Sequence, residues 1–226
     1  MEPVQGRYGI SGDGQTALIE MAAVSGLPLV PEDKRNPMLT TTYGTGELIL
    51  DALEQGCRHF IAGIGGSAAN DAGLGMLQAL RVPRFLDKRG NLVGDRRQDH
   101  VAGSLHRYIC RTSGFKGGPL HDCLRCTQSL QAGLTGRLTY SLLQKGADAK
   151  MVKRTGYRYA QALSRVILST TGKDISDIPG AGAAGGMGGE LSLRSWNAEL
   201  KPGIRLMLDV LDFGKRITWS RPDLYR

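Results

Sequence analysis

The sequence predicts a layered α/β fold, and two observations predict it. A short apolar run from His59 to Ile64 has the length and character of a buried strand. It empties through Gly65-Gly66-Ser67 into a helical pattern that continues to about Leu80. Upstream, a hairpin pattern precedes a second helical pattern, so strand and helix alternate between Tyr8 and Leu80 as they do in layered α/β proteins.

The elements follow in order. Tyr8 to Glu20 reads as a hairpin around Asp13-Gly14, a favoured tight-turn pair. Met21 to Ser25 is a short helical or turning segment, and Pro28, Pro31 and Pro37 mark a loop through Met38. Thr45 is the expected N-cap of a helix over about 46–55, with Ile49, Ala52 and Leu53 on one face and Gly56 at the stop. After the strand and the glycine loop, Asn70-Asp71-Ala72-Gly73-Leu74 reads as a helix with its polar start facing the loop. A further helix is expected over about 151–170, with Tyr159, Leu163, Val166 and Ile167 inward. The stretch from Gly180 to Gly189 is either a flexible connector, which composition favours, or a close backbone approach to a neighbour.

Size and charge narrow the function classes. The chain of 226 residues is long enough for one sizeable core or two small ones. It has no run of apolar residues long enough to span a membrane, and its start lacks an apolar signal region, so a cytoplasmic protein without membrane contact is expected. The formal charge of +8 invites a nucleic-acid reading. Seven of the eight net charges sit, however, in Gly94–Tyr140 and the residues from Lys215 onward, with Tyr108 and Phe115 as the stacking aromatics of the basic middle. Nucleic acid is therefore not the expected partner. Four irregularly spaced cysteines argue against a disulfide scaffold. Cys123 and Cys126, with Cys110, His106 and His121 nearby, make one ligand pair where a structural zinc site wants two, and no metal site is expected.

The residues that point to chemistry surround the glycine loop. Gly65, Gly66 and Ser67 suit an anionic group held by backbone and hydroxyl donors ahead of a helix start. Asn70 and Asp71 add an amide and a carboxylate able to orient a hydroxyl or a metal-bound water, although Asp71 also suits plain capping of the helix. Thr41, Thr42, Tyr43, Gly44, Thr45 and Gly46 form a second polar loop, which either contacts ligand or caps its helix. Glu20 ends a strand near the same cleft, and Lys145 is a candidate for nucleotide or substrate charge. No Gly-x-x-x-x-Gly-Lys-Ser/Thr pattern occurs, which excludes an ordinary Walker-type kinase.

These motifs have an order: Ile19-Glu20-Met21-Ala22, Ser25-Gly26-Leu27, Arg35-Asn36-Pro37, Thr40 to Leu48, Ile61 to Asp71, Gln144-Lys145-Gly146-Ala147, and Asp177 to Gly186. In that order and spacing the chain resembles the bacterial glycerate kinases of the two-domain type. The resemblance runs from about Tyr8 to Gly94, from Gln144 to Gly189, and around Asn197 to Thr218. It implies transfer of the ATP γ-phosphoryl group to D-glycerate, giving 2-phosphoglycerate, with ATP and Mg2+. It further implies Asn70 and Asp71 as the catalytic pair, Gly65, Gly66, Ser67, Thr42, Gly44, Thr45 and Lys145 as substrate- or nucleotide-binding residues, and a Gly180 to Gly189 stretch packed within the fold rather than a free connector. A non-catalytic binder of a phosphate metabolite or of nucleic acid is the alternative.

Departures from the family pattern are equally specific. Relatives read Ser-Ala-Thr-Asn-Asp-Gly-Gly where this chain has alanine at Ala69 and Ala72. Their Asp-Ser-Phe-Lys-Gly, Gly-Gly-Glu-Gly and Gly-Glu-Gly-Arg motifs are missing, so the expected architecture is a glycerate-kinase-like fold incomplete at both ends and inactive by itself. Four segments are expected: family-like 1–94, aberrant and poorly ordered 95–143, family-like 144–218, and an aberrant tail 219–226. Family-like islands such as Thr112 to Lys116 survive within the second, a pattern that suggests translation in a shifted frame.

Overall fold

The computed structural model describes residues 3–80, 83–86, 89, 92–93, 107–110, 120–124, 137–152, 164–165, 167–169, 172–176, 178–191 and 198–212. Strands β1 (Gly9–Ile10) and β2 (Thr16–Glu20) form the expected hairpin. Gly14 takes the left-handed φ of 71° and donates its N–H to the Ser11 carbonyl, while Asp13 Oδ1 accepts the Gln15 N–H at 2.9 Å. Along β2, Ala17 and Ile19 are buried while Leu18 is exposed, the alternation of a strand with one covered face.

Helix α1 (Ala22–Ser25) follows directly, and the proline-marked loop contains two short 3-10 turns, Leu27–Leu29 and Glu32–Lys34. Helix α2 spans Tyr43–Glu54 and begins before Thr45. Thr45 is not its N-cap. It is buried in the first turn with its Oγ1 3.1 Å from Ser25 Oγ, because packing against α1 outweighs the local capping preference. The C-terminus ends as expected. Gly56, at φ 100°, donates to Leu53 O, and the Cys57 N–H reaches Ala52 O, the paired bonds of a glycine-terminated helix.

Strand β3 is His59–Gly63 and helix α3 is Leu74–Ala79. The helix starts later than Asn70-Asp71 suggested, since Ala72 and Gly73 both carry positive φ and break the helical path. Beyond it come β4 (Pro83–Leu86), β5 (Leu92–Val93), β6 (Arg107–Cys110), β7 (Leu120–Leu124), α4 (Arg137–Gln144), α5 (Ala149–Met151), α6 (Met187–Leu191), β8 (Glu199–Pro202) and α7 (Gly203–Val210). The main sheet has the order β1-β2-β3-β7-β8, parallel from β2 onward, and β5-β4-β6 forms a small antiparallel sheet.

Strand β7 lies in the segment expected to be poorly ordered, yet it pairs with β3 at Phe60↔Leu120 through Gly63↔Cys123 and with β8 on its other side. Most other residues of that segment, including His106 and Cys126 of the cysteine–histidine group, lie outside the described residues. So do Tyr159, Leu163 and Val166 of the helix expected over 151–170, whereas Ile167 is fully buried.

One core runs under the sheet and helices, built from Ile19, Phe60, Ile64, Ile49, Leu74, Met76, Ile167, Ile175, Met187 and Leu191. Helices α2 and α3 cross closely at Gly46, where a Cβ would run into the Met76 carbonyl. Among the described residues, no helix is long and apolar enough to cross a membrane.

Candidate functional site

The loop from Ile64 to Gly73 leaves the C-terminal end of β3, beside the end of the parallel strand β2. Parallel sheets place their ligands at this edge, where loops from adjacent strands meet. The two strand ends are stitched together: Met21 N donates to Gly63 O at 2.9 Å, Leu27 N to Gly66 O at 2.8 Å, and Ala68 N to Ser25 O at 2.9 Å. Ser67 turns its hydroxyl back into the loop, accepting from Ala69 N at 3.0 Å. Thr40 Oγ1 then donates to Ala68 O at 2.9 Å, bringing the second polar loop alongside the first.

Asp71 fastens the two polar loops most strongly. Its carboxylate accepts from Thr41 Oγ1 at 2.9 Å, Thr42 N at 2.8 Å, and Thr42 Oγ1 at 3.0 and 3.1 Å. It also accepts from Gly73 N and Gly75 N, each at 3.2 Å. Thr42 Oγ1 in turn accepts the Met76 N–H at 2.9 Å. The leading N–H groups of α3 are therefore spent on Asp71 and Thr42, and this helix start has little donor capacity left for an anion. Both Asp71 and Thr42 are buried. Gly75 leaves room for the arrangement, since a Cβ there would collide with Thr41 Oγ1 and lie 2.7 Å from Asp71 Oδ2.

Lys145 arrives from the other side. Helix α4 ends in a Schellman turn: Ala147 N donates to Leu142 O and Gly146 N to Leu143 O, both at 3.0 Å, with Gly146 at φ 89°. Leu142 and Ala147 bury together and fix the turn. Lys145 is the residue just before this glycine, and its side chain is 6% exposed, with Nζ donating to Ala69 O at 2.7 Å. Burial pushes its ammonium down from the usual 10.5 to about 8, and the nearby Asp71 charge opposes that fall.

A third side is closed by the glycine and alanine stretch. Composition favours a connector there, but the segment is packed: Ala183–Gly186 forms a 3-10 turn leading into α6. Ala72 N donates to Gly185 O at 3.0 Å, and a Cβ on Gly185 would run into the Ala69 carbonyl. Ala72 and Ala184, at φ 54° and 52°, both hold the left-handed conformation at this contact. The alanines at these two positions are thus strained.

The structure brings together Gly65, Gly66, Ser67, Asn70, Asp71, Thr42 and Lys145. Gly65 and Gly66 are exposed at the loop tip, and Asn70 is 8% exposed with no side-chain hydrogen bond among the described residues. Gly44 and Thr45 stand apart, packed against Val24 and Ser25 in the α1–α2 contact. Glu20 is exposed at the end of β2. Arg35, in the Arg35-Asn36-Pro37 motif, is not among the site residues that the sequence predicts. Its backbone lies against Gly146, next to Lys145.

Comparison with known proteins adds to this geometry. A family model described as the glycerate kinase family matches residues 1–223. A glycerate kinase of Bacillus cereus is 42% identical over 223 residues, covering 96% of this chain and 56% of the relative. A glycerate 2-kinase of Escherichia coli K12 is 43% identical over 220 residues, with the same coverages. The crystal structure of a glycerate kinase 2 from Salmonella typhimurium LT2 superimposes with a TM-score of 0.82 at 36% identity, over 95% of this chain and 56% of that one. The chain spans about half the length of these relatives.

Proposed function

We propose, from the premise that this chain belongs to the glycerate kinase family, that it supplies the acceptor-side half of a site transferring the ATP γ-phosphoryl group to D-glycerate. The observation that carries this reading is the convergence of Lys145 and Asn70 on one buried loop at the C-terminal edge of the parallel strands. Phosphoryl transfer needs positioning and neutralisation of charge more than covalent help from the protein. Lys145 supplies the positive charge, and the Asn70 amide orients the acceptor hydroxyl, taken as the one at C2. Asp71 acts through others. With its oxygens engaged by five donor groups, it fixes Asn70 and the Thr41-Thr42 turn in one arrangement.

ATP is the donor, and its phosphates meet the exposed Gly65-Gly66 tip. The described loop residues do not fit a protein-held Mg2+, because the carboxylate at hand is already saturated and no group of three metal-ligating side chains occurs among the described residues. Mg2+ is accordingly assigned to the substrate, arriving on the ATP phosphates as such ions commonly do.

The test is to mix ATP and D-glycerate with the chain joined to the remaining length of its relatives, and to follow phosphorus NMR for ADP and a phosphoglycerate. Formation of 2-phosphoglycerate is the expected result. Appearance of the 3-phosphate moves the assignment of the hydroxyl, and binding without any product from a folded, joined protein leaves a non-catalytic phosphate-metabolite site instead.

A further inference from the structure

We infer that Arg35 completes a carboxylate subsite with Lys145 and Asn70, so that the acid group of a small 2-hydroxy acid, rather than the nucleotide, is held where the Arg35 loop meets the Gly146 turn. The inference rests on the acceptor class proposed above and assigns its carboxylate to named residues.

Three polar side chains of these neighbouring segments are short of partners among the described residues. Arg35 Nε is buried without a hydrogen bond among the described residues. The contact of its guanidinium Nη1 with Glu32 Oε1 is long, 3.5 Å, and that carboxylate is 88% exposed. Lys145, more than nine-tenths buried, uses one of the three N–H groups of its Nζ among the described residues, on Ala69 O. The Asn70 side chain, equally buried, makes no hydrogen bond among the described residues.

The backbone sets these three segments side by side. A Cβ on Gly146 would run into the Arg35 carbonyl and lie 2.6 Å from Arg35 Cβ, so the turn that ends α4 sets Arg35 beside Lys145. Lys145 in turn rests on Ala69, the residue before Asn70. Buried donors left unsatisfied are costly, more so when charged. A loop so densely tied elsewhere leaves such donors open where a ligand satisfies them.

The donor set selects the ligand. Two cations and an amide suit an oxyanion, and an arginine fork suits the planar, two-oxygen face of a carboxylate. Phosphate groups satisfy the same donors, so the experiment must separate the two sources.

Isothermal titration of the full chain with D-glycerate, glycerol and a non-hydrolysable ATP analogue does so, alongside Arg35→Met and Arg35→Lys proteins whose melting matches the parent. The expected result is D-glycerate binding weakened about tenfold or more by Arg35→Met and partly restored by Arg35→Lys, with no glycerol binding and unchanged affinity for the analogue. Unchanged D-glycerate affinity in Arg35→Met, no D-glycerate binding by the parent, or a loss confined to the ATP analogue would each overturn the assignment. Arg35-dependent binding of D-glycerate without phosphoryl transfer would keep the subsite and sink only the kinase reading.

Discussion

Asp71 and Lys145 lie on either side of Ala69-Asn70, and they use their polar atoms in opposite ways. The carboxylate is engaged by five donor groups from two loops and a helix start, while among the described residues the ammonium makes a single bond, to a backbone carbonyl. Burial alone does not separate them, at 7% and 6% exposed. The lesson is that a buried charge with every lone pair spent holds structure, whereas one with donors to spare is available to a ligand. On that basis we propose that the acidic member of the expected catalytic pair belongs to the framework, and the cation to the chemistry.

The sharpest way to break the comparison is to remove the carboxylate. Asp71→Ala leaves Thr41, Thr42, Gly73 and Gly75 donors buried without a partner, and a loss of about 3–5 kcal/mol is expected in urea unfolding. A near-native midpoint would mean that the loops are tied by something else. Gly185→Ala tests the third wall. The new methyl meets the Ala69 carbonyl from a left-handed backbone at φ 69°, and about 2–3 kcal/mol should be lost.

Lys145 sharpens the comparison through pH. Its folded pKa of about 8 lies below the usual 10.5, so between those values the unfolded chain carries the extra proton. Stability therefore rises as pH climbs through that window. The cost of the buried charge, on the order of 3 kcal/mol, is fully present below it. Affinity for an anion moves the other way, falling as pH rises through about 8, as the ammonium is lost. Lys145→Met should abolish both pH effects while leaving the protein no less stable at neutral pH. An anion affinity that stays flat to pH 10, within about twofold, would remove Lys145 from the site.

The smallest effect is expected at Ala72. Relief of its left-handed strain by Ala72→Gly should stabilise the chain by about 1 kcal/mol, read as a raised melting temperature. A lower melting temperature would show that the alanine methyl packs usefully in this wall.

What was legible in the sequence is what short-range chemistry decides. Asp13-Gly14 specifies a tight turn through its own backbone, and Gly56 stops a helix wherever the helix packs, so the hairpin, the end of α2 and strand β3 could be read directly. Lys145 was legible through Gln-Lys-Gly-Ala, one of the motifs that carry the family resemblance. The errors came where distant segments decide. Thr45 has the chemistry of a cap but is claimed by Ser25 on α1. The stretch around Gly185 has a connector's composition, and only the family resemblance implied its packing, because its small residues accommodate Ala69 and Ala72, far away in the chain. Arg35 was hidden for the same reason, since only the Gly146 turn reveals its neighbour.

The most direct test of the account pairs two substitutions, Asp71→Asn and Lys145→Met, each measured for unfolding free energy and for D-glycerate affinity of the folded protein. The account predicts a crossed result: Asp71→Asn loses stability by about 2 kcal/mol or more yet binds within a few-fold of the parent, while Lys145→Met keeps its stability and loses binding about tenfold or more. The reverse pattern, a stable Asp71→Asn that no longer binds beside a Lys145→Met that does, would contradict it.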